Sequence, residues 1–211
     1  MLAAALPGPL MGGMVREQGA GKEVAGEPPA GEEALDLALE EQVFAAQAPG
    51  DETPGRILID LANQRLWFLE DASPRFAAQV STARKGPGER RDSGCTPRGL
   101  HRVRIGIGAG CPPGTVFVGR RPTGEVYGPE LAARFPERDW ILTRILWLTG
   151  LEQGRNRGGD VDTLRRYIYI HGCPETAPLG IPQSHGCIRM HDRELMQLFD
   201  LAPAGTLVDI R

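Results

Sequence analysis

From about residue 55 onward, apolar and polar residues alternate at the two-residue period of half-buried strands. Positions 56–70 carry Ile57, Leu58 and Ile59, then Asn63 and Gln64, then Leu66, Trp67, Phe68 and Leu69. This predicts a hairpin that turns at 62–64. A short third strand is predicted over 76–81. In 101–107, Val103, Ile105 and Ile107 are expected on one face, with Arg102 and Arg104 on the other. Further strands are predicted at 115–119, 167–170 and 207–210, the last entered through Gly205. Residues 140–148 are apolar almost throughout, and β-branching at Ile141, Thr143 and Ile145 favours a buried strand over a helix. Two helices are expected. One covers 129–135 with Pro129 in its first turn. The other covers 192–201, capped by Asp192, with Leu195, Met196, Leu198 and Phe199 as its apolar stripe. Residues 85–95 and 152–163 are polar and glycine-containing and read as loops, and Thr96-Pro97-Arg98-Gly99 reads as a turn. Together these give a mainly β domain of eight or so strands with a helix against it.

Composition supports that class. The chain has 28 glycines and 18 prolines in 211 residues, with no collagen-like period, which suits turns rather than a helical bundle. It has no apolar run long enough to form a transmembrane segment. The net charge of −3 makes nucleic acid an unpromising partner. Residues 1–50 hold 8 acidic and 2 basic side chains, whereas 51–211 hold 19 and 22. The expected division is therefore an acidic, largely disordered extension over 1–50, with one short helix at 32–48, and a folded domain over 55–211. The stretch from Leu2 to Leu10 is apolar, but no Lys or Arg precedes it and Pro7 and Pro9 interrupt it. It is expected to be an unprocessed cytoplasmic terminus rather than an export signal.

The candidate chemistry is concentrated in 167–190. Two of the four histidines, His171 and His185, and two of the four cysteines, Cys173 and Cys187, stand there in two copies of His-Gly-Cys. Three readings compete. The four could bind a metal, although a one-residue spacing within each pair is unlike the usual zinc turn. The cysteines could form disulfides, with Cys95 and Cys111 as another pair. Or a thiol nucleophile could work with a histidine base. The third reading also accounts for Gly186, which has no Cβ to obstruct a reacting carbonyl and whose amide could face an oxyanion. On spacing alone either His171 or His185 could be the base. The run Ile105-Gly106-Ile107-Gly108-Ala109-Gly110 lacks the last glycine of a dinucleotide fingerprint and reads as a tight turn.

His171 followed by Ser184-His185-Gly186-Cys187-Ile188-Arg189 resembles the signature of the L,D-transpeptidase catalytic domain, the YkuD or ErfK/YbiS/YcfS/YnhG family, with a gap slightly shorter than usual. The stretch 57–70, Val80-Ser81-Thr82, Thr96-Pro97-Arg98-Gly99 and the closing 205–210 are also similar to that family. The resemblance implies an L,D-transpeptidase-like β-sandwich with a helix packed against it after the catalytic cysteine. It implies that Cys187 is the nucleophile, His171 the base, and Gly172 the residue whose backbone orients that base. His185 would shape the oxyanion side, the amides of Gly186 and Cys187 would receive the oxyanion, Ser184 would brace the turn, and Arg189 would lie near substrate carboxylates. The implied substrate is the diaminopimelate-containing tetrapeptide stem of bacterial peptidoglycan. The implied reaction releases terminal D-Ala through a thioester and forms 3→3 cross-links. Hydrolysis to a tripeptide, an L,D-carboxypeptidase activity suited to cytoplasmic recycling, is the alternative. Carbapenems would be covalent inhibitors, and no cofactor or metal is implied. Family biology would place the enzyme in the periplasm or cell envelope, against the reading of the terminus. Cys173 is a departure, since the family needs no cysteine there.

Overall fold

The computed structural model describes residues 55–211; the acidic extension and the helix expected at 32–48 lie outside them. Ten strands form one hydrogen-bonded sheet. The opening hairpin is β1 (Arg56–Asp60) and β2 (Arg65–Glu70), followed by β3 (Ser73–Gln79). Its turn is set by Asp60, whose carboxylate accepts the amides of Ala62 and Asn63, both at 2.9 Å. Next come β4 (Gly99–Ile107), β5 (Thr115–Val118), β6 (Arg121–Val126), the short helix α1 (Pro129–Arg134) and the long strand β7 (Ile141–Gly150). The chain closes with β8 (Tyr169–Cys173), β9 (Ile188–His191), helix α2 (Asp192–Leu201) and β10 (Leu207–Ile210).

The strands run in the order β3-β2-β1-β10-β4-β7. β7 is the branch point. One edge pairs first with β5 and then with β4, and the other pairs with β8, which in turn pairs in parallel with β9. The sheet curls until the segment after β3 meets β9: Ser81 and Arg189 exchange both backbone hydrogen bonds, at 3.0 and 2.9 Å. The curl encloses the main core of Ile57, Leu66, Phe68, Val103, Leu146, Leu148, Ile170, Ile188, Met190 and Val208, sealed by Leu195 and Leu198 of α2.

Several sequence expectations needed correction. Val103 does not share a face with Ile105 and Ile107. A bulge at Arg104 reverses the alternation, so Val103 joins the main core while Ile105 and Ile107 pack with Ile145 and Trp147 on the other face. That reversal leaves Gly106 facing α2, where an added Cβ would come within 2.9 Å of Phe199. Asp192 is the first residue of α2, not its cap; His191 holds the cap position without a side-chain hydrogen bond. β6 and β9 were not foreseen, and β8 continues past 170 to Cys173. The run at 105–110 ends β4 in a tight turn, with Gly108 and Gly110 both at positive φ.

Candidate active site

Parallel pairing of β8 with β9 places His171 opposite Arg189 and Ile170 opposite Ile188. Cys187, one residue before β9, therefore lies beside Tyr169, whose amide donates to its Sγ at 3.4 Å. Since residues two apart on a strand share a face, His171 and Cys187 lie on the same face as diagonal neighbours. On this face Ile145, Trp147 and Tyr169 pack against the partly buried cysteine.

His171 is buried, and its Nδ1 lies 2.9 Å from the carbonyl of Gly172. A carbonyl can only accept, so Nδ1 carries the proton and Nε2 of the neutral ring is left as a proton acceptor. Burial holds the His171 pKa below the ordinary imidazole value, against the pull of Asp139 and the Gly172 carbonyl. The ring is therefore neutral at pH 7. Gly172 must be a glycine on packing grounds: an added Cβ would lie 2.2 Å from Asp192 Oδ1 and 2.5 Å from the Leu142 carbonyl.

Residues 184–187 form a turn. The hydroxyl of Ser184 braces it, donating to the Cys187 carbonyl at 2.5 Å and accepting the Gly186 amide at 3.2 Å. Ser184 is buried, so its side chain serves the turn rather than an open substrate surface. Two expectations for Gly186 change as a result. Its amide is already donated, which leaves only the Cys187 amide of the expected pair for an oxyanion. Its missing Cβ is required by the protein itself, because φ is +142° and a Cβ would crowd Ile168 at 3.3 Å and the Cys95 carbonyl at 3.4 Å. His185 and Cys187 do not share a strand face either, since β9 begins only at Ile188. The His185 side chain is 69% exposed and bonds Asp139 Oδ2 through Nδ1 at 3.0 Å.

The Cys187 thiol faces the Tyr167 carbonyl at 3.3 Å. Burial pushes its pKa up to about 12, opposed first by the Tyr169 amide. The resting group is thus a thiol that requires a base.

A profile of the L,D-transpeptidase catalytic domain, YkuD, matches residues 54–210. The chain belongs to the YkuD family of L,D-transpeptidase catalytic domains. Two curated relatives are similar to it. The putative L,D-transpeptidase YkuD of Bacillus subtilis is 34% identical over 65 residues, 28% of this chain and 40% of that protein. Its namesake in Bacillus licheniformis is 39% identical over 46 residues, 22% and 28% of the two chains. The chain thus matches less than half the length of either relative. Among solved structures, L,D-transpeptidase 3 of Mycobacterium tuberculosis, in complex with a faropenem-derived adduct, aligns at 15% identity with a TM-score of 0.47, covering 75% of this chain and 60% of that one. An L,D-transpeptidase of Enterococcus faecium aligns at 15% identity and a TM-score of 0.45, covering 75% and 50%.

Within this YkuD domain two signature residues, His185 and Arg189, line a cavity of about 260 Å³ with Arg84, Arg138, Asp139 and Cys173 among others, whereas Cys187 and His171 are not part of its wall. Arg189 does not reach freely into it. Its Nη2 donates to Asp139 Oδ1 at 2.6 Å, and its Nη1 to the Gln183 carbonyl at 3.4 Å. Asp139 thus joins Arg189 to His185. Burial opposes its charge, but Arg189, then His171 and His185, outweigh it and hold the carboxyl below its ordinary range. Asp139 sits in a polar stretch before β7, and nothing in the sequence sets it apart.

The competing readings of the cysteines and histidines do not converge in space. Cys173 Sγ bonds the Met190 carbonyl at 3.2 Å, Cys187 faces Tyr167, and His185 turns out to Asp139. All four cysteines are free thiols. Cys173 lies four residues along β8 from Tyr169, the neighbour of Cys187, a separation of roughly 13 Å, far beyond disulfide reach. Among the described residues no helix is long and apolar enough to cross a membrane.

Proposed function

We propose that this domain is a cysteine acyltransferase acting on peptidoglycan stem peptides. The observation that carries the reading is His171, its Nδ1 proton committed to Gly172 and its Nε2 left to accept, on the same sheet face as Cys187 and diagonal to it. In the proposed reaction Nε2 takes the Cys187 proton as Sγ attacks the carbonyl carbon of the third stem residue, diaminopimelate. The Cys187 amide receives the oxyanion. Collapse breaks the bond to the terminal D-Ala, whose amine leaves with the proton from His171, and a thioester remains on Sγ. An amine of a second stem then attacks, gives its proton to His171 and expels the thiolate, forming a 3→3 link. Water in place of the amine gives the tripeptide and L,D-carboxypeptidase activity. Of the arginines around the cavity, Arg138 is paired with Glu125 and Arg189 with Asp139, so the exposed Arg84 is the one that best suits a carboxylate of such a stem. A carbapenem, whose strained lactam carbonyl a thiolate opens, is expected to acylate the same sulfur.

Mass spectrometry of the products from purified tetrapeptide muropeptides, with and without an acceptor stem, tests the reading. Release of D-Ala with dimer or tripeptide formation is expected, the acceptor deciding between the two. An unchanged tetrapeptide in both arms would contradict it.

A further inference from the structure

Arg166 lies outside the signature, yet it ties the nucleophile turn to the loop that covers it. Its guanidinium is partly buried against the polar loop 85–95. Nη1 donates to the carbonyls of Gly88 at 3.2 Å and Glu89 at 2.7 Å. Nη2 donates to the Cys95 carbonyl at 2.7 Å and to Ser93 Oγ at 3.4 Å. All four acceptors are neutral, and the nearby Glu89 carboxylate is taken by Arg98 at 2.8 Å.

Two connections lead from these bonds to Cys187. The Cys95 carbonyl that Arg166 holds is the atom against which Gly186 packs, and the next residue, Thr96, donates from Oγ1 to the Gly186 carbonyl at 2.9 Å. Cys95–Thr96 is thus a clamp on the residue preceding the nucleophile. The second connection runs through the backbone. Tyr167 stands at φ +54°, an uncommon conformation for a bulky side chain, and its carbonyl accepts the Cys187 thiol at 3.3 Å. Arg166 therefore anchors both sides of the turn.

We propose that Arg166 is a positioning residue for Cys187: it holds the Cys95–Thr96 clamp on Gly186 and supplies a positive charge, matched by no carboxylate among its hydrogen-bond partners, that favours the thiolate. The field of a cation at this site opposes the burial that raises the thiol pKa; burial in turn lowers the Arg166 pKa, opposed by Cys95, Glu89, the Cys187 thiolate and Asp92. The other ionisable groups around Cys187 are Tyr167 just before β8, His171 and Tyr169 on β8, Arg189 on β9, Asp139 ahead of β7, and Arg120 between β5 and β6, which lies over Trp147 and Tyr167 and donates to the Tyr169 hydroxyl at 3.4 Å. Asp139 works against the thiolate and Arg189 for it. The proposal rests on Cys187 being the nucleophile.

The test is the pH dependence of Cys187 alkylation by iodoacetamide, followed by peptide mass spectrometry in the full chain, for the unsubstituted protein, Arg166→Gln and Arg166→Lys. Arg166→Gln should alkylate about tenfold more slowly at pH 8, with its midpoint displaced to higher pH. Arg166→Lys keeps the charge and loses the planar fork. It should stay within about twofold in alkylation, while hydrogen exchange at the amides of Cys95 and Thr96 speeds up at least tenfold. A folded Arg166→Gln with the unsubstituted profile would overturn the electrostatic part. If that variant does not fold, Arg166→Lys carries the test: unchanged protection of Cys95 and Thr96 would overturn the clamp, and an upward shift of its midpoint would overturn the role of charge. The alkylation readout does not require turnover. Failure of the catalytic reading would appear separately, as D-Ala release that survives Cys187→Ala.

Discussion

At the scale of single residues, the site depends on where protons and Cβ atoms can go. His171 donates from Nδ1 to a carbonyl and stays neutral because burial opposes its charge. Its replacement by Ala should lower the rate of Cys187 acylation by roughly 10²–10⁴-fold, measured by stopped-flow with a chromogenic carbapenem; His185→Ala should change it far less. A larger effect from His185 would exchange the two roles. The raised thiol pKa, about 12, means that alkylation in the free protein should keep climbing with pH beyond 9 instead of reaching a plateau near the ordinary thiol value. Gly172→Ala forces a methyl into the space of Asp192 Oδ1 and the Leu142 carbonyl. It should cost about 3 kcal/mol in urea unfolding, the upper end of ordinary overpacking. The signature residues could be read from the sequence because their types are chemically conspicuous. The roles of Asp139 and Arg166 could not be read there, because each depends on partners from other parts of the chain, Asp139 on residues about 50 positions away and Arg166 on residues more than 70.

At the scale of elements, alternation located most strands but could not register the bulges. The apparent one-sided face of Val103, Ile105 and Ile107 is split by a single extra residue at Arg104. A second irregularity in β7 puts Thr143 at φ +66°, where its Oγ1 accepts the Gly114 amide at 2.8 Å. A β-branched residue in that conformation gives no warning in the sequence. β9 was legible in hindsight, since buried Ile188 and Met190 flank Arg189 at period two. The loop after β7 is far more ordered than its polar text suggests. Asn156 is buried; its Nδ2 donates to the carbonyls of Arg98 and Leu100 at 3.0 and 3.2 Å, and its Oδ1 accepts the Glu152 amide at 2.9 Å. Asn156→Ala should lose roughly 2–3 kcal/mol through these unmade bonds. Hydrogen exchange should show the loss as faster labelling of 151–163, and unchanged protection there would mean that the loop is held by other contacts.

At the scale of the whole molecule, a curled sheet places the face that carries His171 and Cys187 between the branch strand β7 and the parallel pair β8–β9, with α2 behind it. The parallel β8–β9 pairing is what brings residues 16 positions apart, His171 and Cys187, to one face. The fold class was legible because a mainly β pattern and one amphipathic helix suffice for it; the closure of the sheet was not, because it rests on isolated bridges, Ser81 with Arg189 and Ala83 with Ser184, rather than on a strand. The fold also carries a pH dependence remote from the site. His101 is buried, between the Gly99 carbonyl at 2.9 Å and Thr163 Oγ1 at 3.1 Å, and burial lowers its pKa to about 4. Its folded pKa lies below the unfolded value of about 6.5, so the unfolded chain binds the extra proton first. Stability should therefore fall by about 3 kcal/mol between roughly pH 6.5 and 4 and change no further through this group below that. Chemical denaturation across that range, compared with His101→Gln, measures it. An equal loss in both proteins would assign the acid sensitivity elsewhere.

The central claim is that Cys187 carries the acyl group, and intact-protein mass spectrometry during turnover of a tetrapeptide stem tests it most directly. The account predicts an adduct with the mass of the tripeptide acyl group, mapped to Cys187 after digestion and labile to hydroxylamine as a thioester is. Cys187→Ala should show neither the adduct nor D-Ala release. Turnover at an undiminished rate in Cys187→Ala, or an adduct that maps to Cys173, would contradict it.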